Sequence, residues 1–244
     1  ALARLVARCR DETVVVLGAY AGFVRLVEKR SPAELAPRRA APELLLGVLS
    51  GTGLFAVTVG ILWLLGYFQV DGTNPVRVIG LALGAAVAAG VFEELLVRGV
   101  LFRILQEGLG TWIALALSAA VFGAIHLRNP AATPFSAAAI ALQAGVLLGA
   151  AYVVTGRLWL PIGLHMAWNF TQSGIFGVRV SGTAYDGLLR SHLSGPTPLS
   201  GGDFGVEGSV VTVVVCLLAA GALLTRAHRR GRIVPAGRRT VSAH

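Results

Sequence analysis

Leu44 to Val70 reads LLLGVLSGTGLFAVTVGILWLLGYFQV, a run with no charged residue anywhere in it. A helix rises ~1.5 Å per residue, so about 20 such residues cross a ~30 Å hydrocarbon layer. This stretch therefore predicts a membrane span, and working outward from it the pattern repeats. Val76 to about Leu101 is a second span, interrupted by Glu93, Glu94 and Arg98. Gly108 to Ile125 is a third, with His126 at its end, and Phe135 to Thr155 a fourth. About Leu158 to Val178 is a fifth, carrying His165 and Asn169, and Ser209 to Thr225 a sixth. Thr13 to Val24 is apolar but short and is flanked by Arg4, Arg8, Arg10 and Arg25. It reads as an interfacial helix or part of a longer span. The expected fold is all-α: a polytopic transmembrane helical bundle of about six core spans plus an N-terminal interfacial or partial helix. Residues 1–42 form the N-terminal segment and first loop, 43–225 the transmembrane bundle, and 226–244 a basic tail.

Composition agrees. Of 244 residues, 55% are hydrophobic and 14% charged, against roughly 25% charged in a soluble domain. High hydrophobicity also excludes disorder. The net charge is +9, and every cation except Lys29 is an arginine, a balance that points to a GC-rich, bacterial genome. Basic loops favour the cytoplasm. Placing Lys29, Arg30, Arg38 and Arg39 inside also puts Arg103, Arg157 and the tail (Arg226, Arg229, Arg230, Arg232, Arg238, Arg239) inside. Only Arg77, Arg128, Arg179 and Arg190 then face out. The expected location is a plasma membrane, spanned several times. Nucleic acid is not an expected partner, because the arginines follow the membrane sides instead of forming a stripe. The Gly/Pro/Ser-rich stretch from Val180 to Gly208 reads as an outer loop, and the chain after Thr225 as flexible. Cys9 and Cys216 are isolated, so neither a disulfide framework nor a cysteine zinc site is indicated.

Charge within hydrocarbon costs at least ~2.5–3.5 kcal/mol per residue, which makes intramembrane ionisable groups functional candidates. Here they are Glu93, Glu94, Arg98, His126 and His165, with Asn169 beside the last. Glu94 and Arg98 are four apart and able to pair on one helix face. Glu93 points about 100° away and is left unpaired. Phe122 shares a face with His126, as His165 does with Asn169. Taken singly, Glu94 with Arg98 could be a structural ion pair, His126 an interfacial histidine, and His165 with Asn169 interhelical glue. Taken together they offer an unpaired carboxylate, a paired one, two imidazoles and a carboxamide on three helices.

In order along the chain, "EELLVR" has the form EExxxR, "FGAIH" the form FxxxH and "HMAWN" the form HxxxN. This resembles the CAAX-processing and bacteriocin-processing (Rce1-like) intramembrane endopeptidases, over roughly residues 81–172. The resemblance implies hydrolysis of a peptide bond in a membrane-associated peptide or protein. Glu93 and His126 would activate water, His165 and Asn169 would stabilise the oxyanion, and Glu94 with Arg98 would support the site or the substrate. Bacterial relatives process small peptides or confer immunity to them. A partly desolvated, unpaired carboxylate suits a general base, and an imidazole N–H and an amide suit a developing oxyanion. The family has also been discussed as metalloproteases, and zinc held by Glu93, His126 and His165 is the alternative to an ion-free site. The ion-free reading is preferred. No HExxH motif is present, so no local motif decides the matter. The preference rests on a Glu, two His and an Asn sufficing without an ion, and on Glu94, committed to Arg98, leaving no carboxylate to orient the histidines. The expected site is a cavity between the second, third and fifth spans, open on the basic side. For His126 to reach Glu93, the third span must tilt or start below the interface.

Two rival classes stand beside this one. A small transporter or channel also places polar groups at mid-membrane, but it predicts matched helix breaks in two halves, and only Pro161 with Gly163 supplies one. A non-catalytic membrane scaffold would tolerate loss of Glu93 or His126, yet the full set is present.

Overall fold

The computed structural model describes residues 2–237, with side chains from Asp11 onward. Arg238 and Arg239, and the side chains of Arg4, Arg8, Cys9 and Arg10, lie outside the described residues. Helix α1 spans Leu2–Leu26 and α2 Ala40–Leu64. Helix α3 (Ile79–Glu94) runs through a π-helical stretch, Leu95–Phe102, into α4 (Arg103–Leu109). After one glycine comes α5 (Thr111–Ile125). Helix α6 (Pro134–Ile140) passes through a π turn, Ala141–Gly145, into α7 (Val146–Thr155). Helix α8 (Trp159–Phe170) ends in a third π turn, Thr171–Ile175. A short α9 (Thr197–Ser200) precedes α10 (Val210–Arg229).

Five stretches are long and apolar enough to cross a membrane: Ala33–Leu64, Val76–Leu109, Thr111–Arg128, Pro134–Thr155 and Val210–Arg229. They match five of the six expected spans, and the chain is an integral membrane protein. The sixth expectation, around α8, is met differently. With its π turn, α8 is only about 25 Å long, and most of its residues are buried. It is the central post of the bundle, packed between α2, α3 and α7. Its neighbours instead turn Trp63, Leu46, Leu49, Phe92 and Leu218 outward, as lipid-facing surfaces require. Helix α1 is longer than its apolar stretch suggested. It lies along α3, with Tyr20 against Gly99 and with Thr13 and Val16 beside Val87 and Val91.

Close approach of backbones sets the position of α8. A Cβ on Gly51 would stand 2.3 Å from the Leu164 carbonyl oxygen, and one on Gly47 2.4 Å from that of Leu160. Gly163 returns the contact, its Cβ position being 2.4 Å from the Leu44 carbonyl oxygen. Without a hydrophobic drive between helices in lipid, such small-residue contacts carry the packing. We expect Gly51→Ala to push α2 from α8 and to cost roughly 1–3 kcal/mol by overpacking. Gly53→Ala, where nothing lies within 4 Å, should be harmless. Thermal unfolding of the two variants in detergent checks the contrast.

Two regions differ from expectation. The segment between α8 and α10 is not all loop: β2 (Leu189–Leu193) pairs antiparallel with β1 (Phe68–Thr73) from the α2–α3 connection, with an irregularity between Val70 and Gly72. The buried Phe68 ring leads through Phe176 and Phe55 to Trp168, at centroid distances of 5.8, 5.7 and 5.1 Å. This aromatic chain ties the small sheet to α8. The tail, expected to be flexible, folds back as far as it is described. Thr111 N–H donates to the Val234 carbonyl (2.9 Å), and Val234 N–H donates to Thr111 Oγ1 (2.8 Å). The first turn of α5 has orphan donors, and the tail satisfies one of them.

Candidate active site

A cavity of about 150 Å³ lies inside the bundle, lined by Glu93, Phe122, His126, His165, Trp168 and Asn169 among others. Its walls come from α3, α5, α6–α7 and α8, so the fourth span joins the three expected. Three of the four helical walls, all but α5, reach it beside an irregularity: the π segments follow Glu94, Ile140 and Phe170. π turns are rare and occur often at functional sites, where they re-aim side chains.

Heights along the bundle bring the motif residues level. Helix α3 continues through α4 to Leu109, so Glu93 sits about 24 Å above that turn. Helix α5 starts at Thr111, and its 15 residues lift His126 by about 22 Å. No unusual tilt is needed. Arg103 lies within this continuous helix and does not mark its end.

Glu94 and Arg98 form the floor. Both are fully buried, and Arg98 Nη1 donates to Glu94 Oε1 at 2.9 Å. Arg98 Nη2 donates to the carbonyls of Ala144 (3.2 Å) and Gly145 (3.1 Å) in the π turn between α6 and α7. Its guanidinium carbon lies 4.6 Å from the Phe122 ring centroid. Phe122 also contacts both histidine rings, with centroids 4.7 Å from His126 and 6.1 Å from His165. One aromatic side chain thus spaces the cation from both imidazoles.

Glu94 is not committed to Arg98 alone. His165 Nδ1 lies 3.0 Å from the same Glu94 Oε1. A carboxylate does therefore orient this histidine, contrary to the sequence reading. With Nδ1–H held by Glu94, the ring presents Nε2 to the cavity, 4.0 Å from Glu93 Oε2. His126 is fixed in a similar way: Nδ1 is 2.7 Å from the Phe122 carbonyl oxygen. A carbonyl only accepts, so Nδ1 carries the proton and Nε2 is left as an acceptor. Neither histidine shows a neutral N–H to the cavity, as the oxyanion assignment had supposed. His165 offers one only when both of its nitrogens are protonated. The Asn169 carboxamide lines the cavity and has no hydrogen-bond partner among the described residues.

Glu93 differs from its neighbour. Its side chain is 28% exposed and lines the cavity; its Oε2, like that of Glu94, has no hydrogen-bond partner among the described residues. The expected division into a paired and an unpaired carboxylate holds. For a metal the arrangement does not fit. Among the described residues, no group of three His, Cys, Asp or Glu side chains is placed to hold one ion.

Three cavity residues escaped the sequence reading. Glu207, 4% exposed, accepts from Ser181 N–H (2.5 Å) and Ser181 Oγ–H (2.8 Å). Burial raises its carboxyl above the ordinary range, against the lowering pull of the Ser181 hydroxyl and of His126. These bonds hold residues 180–185 over the cavity. Gln143, 1% exposed, has an unpartnered Nε2. It was detectable as an uncharged polar residue within an apolar run. Glu207 lies in "GGDFGVEGS" at the entry to the last span, where the family resemblance is looser and points to no single residue.

At the end of the bundle bearing the small sheet the cavity lining reaches the exposed Thr183 and the part-exposed Asn129 and Tyr185. The arginine-rich turns lie at the other end.

Residues 75–171 match the family model described as type II CAAX prenyl endopeptidase Rce1-like. The matched stretch is about two fifths of the chain and contains Glu93, Glu94, Arg98, His126, His165 and Asn169. No curated protein and no solved structure matches the chain.

Proposed function

We propose that the protein is an intramembrane endopeptidase that hydrolyses a peptide bond with water activated by Glu93. The observation that carries this reading is the contrast between the two adjacent glutamates. Glu94 is wholly buried and bound through Oε1 to Arg98 and His165, while Glu93 is 28% exposed and lines the cavity. A base must meet the water it deprotonates, and of the two carboxylates Glu93 is the one at the cavity wall.

The geometry supports the following course. Glu93 Oε2 and His126 Nε2 are both acceptors, so a water between them donates to each and keeps a lone pair for attack. As the water oxygen bonds to the peptide carbonyl carbon, its proton passes to Glu93 and the carbonyl π pair moves onto oxygen. The Asn169 amide N–H donates to that oxyanion. The carbonyl re-forms, the C–N bond breaks, and the leaving nitrogen takes the proton from Glu93. Glu94 holds His165 so that its Nε2 faces Glu93.

Peptides incubated with the purified chain in detergent, with products read by mass spectrometry, test the reading: the native chain cuts and Glu93→Ala does not. Asn169→Ala should lower kcat by roughly 10²–10³, as loss of one oxyanion donor does elsewhere, with KM little changed. Because no three ligands converge among the described residues, strong chelators should leave the rate intact. One zinc per chain, with activity lost on its removal and restored on its return, would replace this mechanism with a metal-dependent one.

A further inference from the structure

We infer that the cavity receives its peptide from the membrane face opposite the arginine-rich turns, the outer face of a plasma membrane. Its substrate is then a peptide or juxtamembrane segment already on that side, and not a cytoplasmic tail. The inference rests on the protease reading for the word substrate, but not for the direction of access.

Two independent observations agree. The first is which end of the bundle is shut. Glu43 takes Arg157, whose Nε is 2.9–3.0 Å from both carboxylate oxygens. Glu28 takes Arg103 (2.5 Å), and Glu34 takes Arg30 (2.9 Å). Leu158 N–H donates to the Glu34 carbonyl (2.9 Å), and Val234 closes the α4–α5 turn. Above this lattice the buried Glu94–Arg98 pair floors the cavity. At the other end the lining is polar and surfaces at Asn129, Thr183 and Tyr185. Water and a polar peptide have a way in there.

The second observation is charge. Arg25, Lys29, Arg30, Arg38, Arg39, Arg103, Arg157, Arg226, Arg229, Arg230 and Arg232 belong to the shut end. At the open end the described loops supply only Arg77, Arg128, Arg179 and Arg190, and the N-terminal turns of α1, with Arg4, Arg8 and Arg10, run toward that end. Cations in short loops and near span ends are retained in the cytoplasm, so the shut end is inside and the mouth is outside.

Cysteine accessibility in the full chain decides the matter. In a Cys9→Ser, Cys216→Ala background, Thr183→Cys places a thiol at the exposed rim and Ser31→Cys one on the exposed opposite turn. In intact spheroplasts a membrane-impermeant maleimide should label Thr183→Cys nearly completely and Ser31→Cys hardly at all. In inverted vesicles the two should exchange. A polar, impermeant peptide should likewise be cut when added to spheroplasts and spared when added to inverted vesicles. Labelling of Ser31→Cys but not Thr183→Cys in spheroplasts would overturn the inference. If labelling runs as expected and no peptide is cut on either side, the access direction stands and the protease reading falls.

Discussion

Glu93→Gln leaves the fold and peptide binding in place and lowers kcat by ~10²–10⁴, the range for losing a general base. The substitution keeps the volume and a hydrogen-bonding oxygen and removes only basicity. KM should stay near its native value, because Glu93 acts on the water and not on the peptide's grip. Steady-state cleavage in detergent or nanodiscs reads both constants. Native-like turnover would mean that water is activated elsewhere, with His126 Nε2 as the next acceptor in reach.

The second large effect is on stability. Glu94 and Arg98 are both wholly buried, and removing one partner strands a charge in a low-dielectric interior at a cost of roughly 3–5 kcal/mol. Glu94→Gln preserves an acceptor for His165, so it isolates the charge. Arg98→Met also orphans the Ala144 and Gly145 carbonyls that the guanidinium serves. The double variant should therefore be less damaged than the sum of the singles, yet still weaker than native, because those carbonyls remain unpaired. A double-mutant cycle on unfolding measures this, and strict additivity would show that the pair is not coupled.

How much of this could be read without coordinates depended on distance along the chain. The spans declared themselves by uncharged length, and the motif residues by the cost of ionisable groups in lipid. The different fates of Glu93 and Glu94 followed from helical spacing alone. What lay far apart in sequence did not appear. Glu94 meets His165 across 71 positions, and nothing local distinguishes a carboxylate with one partner from one with two. Ser181 and Glu207 are ordinary loop residues until a turn 26 positions away brings them together. β1 seeks its partner beyond the whole helical core, so no hairpin signal marked it. Nor did the matching heights of Glu93 and His126 appear, because Arg103 looks like the end of a span and instead lies inside a continuous helix, from which it reaches Glu28 and Glu107.

The 15-residue length of α5 has a consequence for how this sequence can change. One residue inserted between Thr111 and Phe122 would lift His126 by about 1.5 Å and swing it about 100° around the helix axis. It would carry Phe122 off Arg98 in the same movement. Substitutions along the lipid-facing side of α5, at Trp112, Ile113 or Leu117, alter neither quantity. The helix acts as a ruler between its tail-clamped base and its histidine tip. Deletions and insertions are therefore barred there, while the identity of most of its outward residues is free to drift.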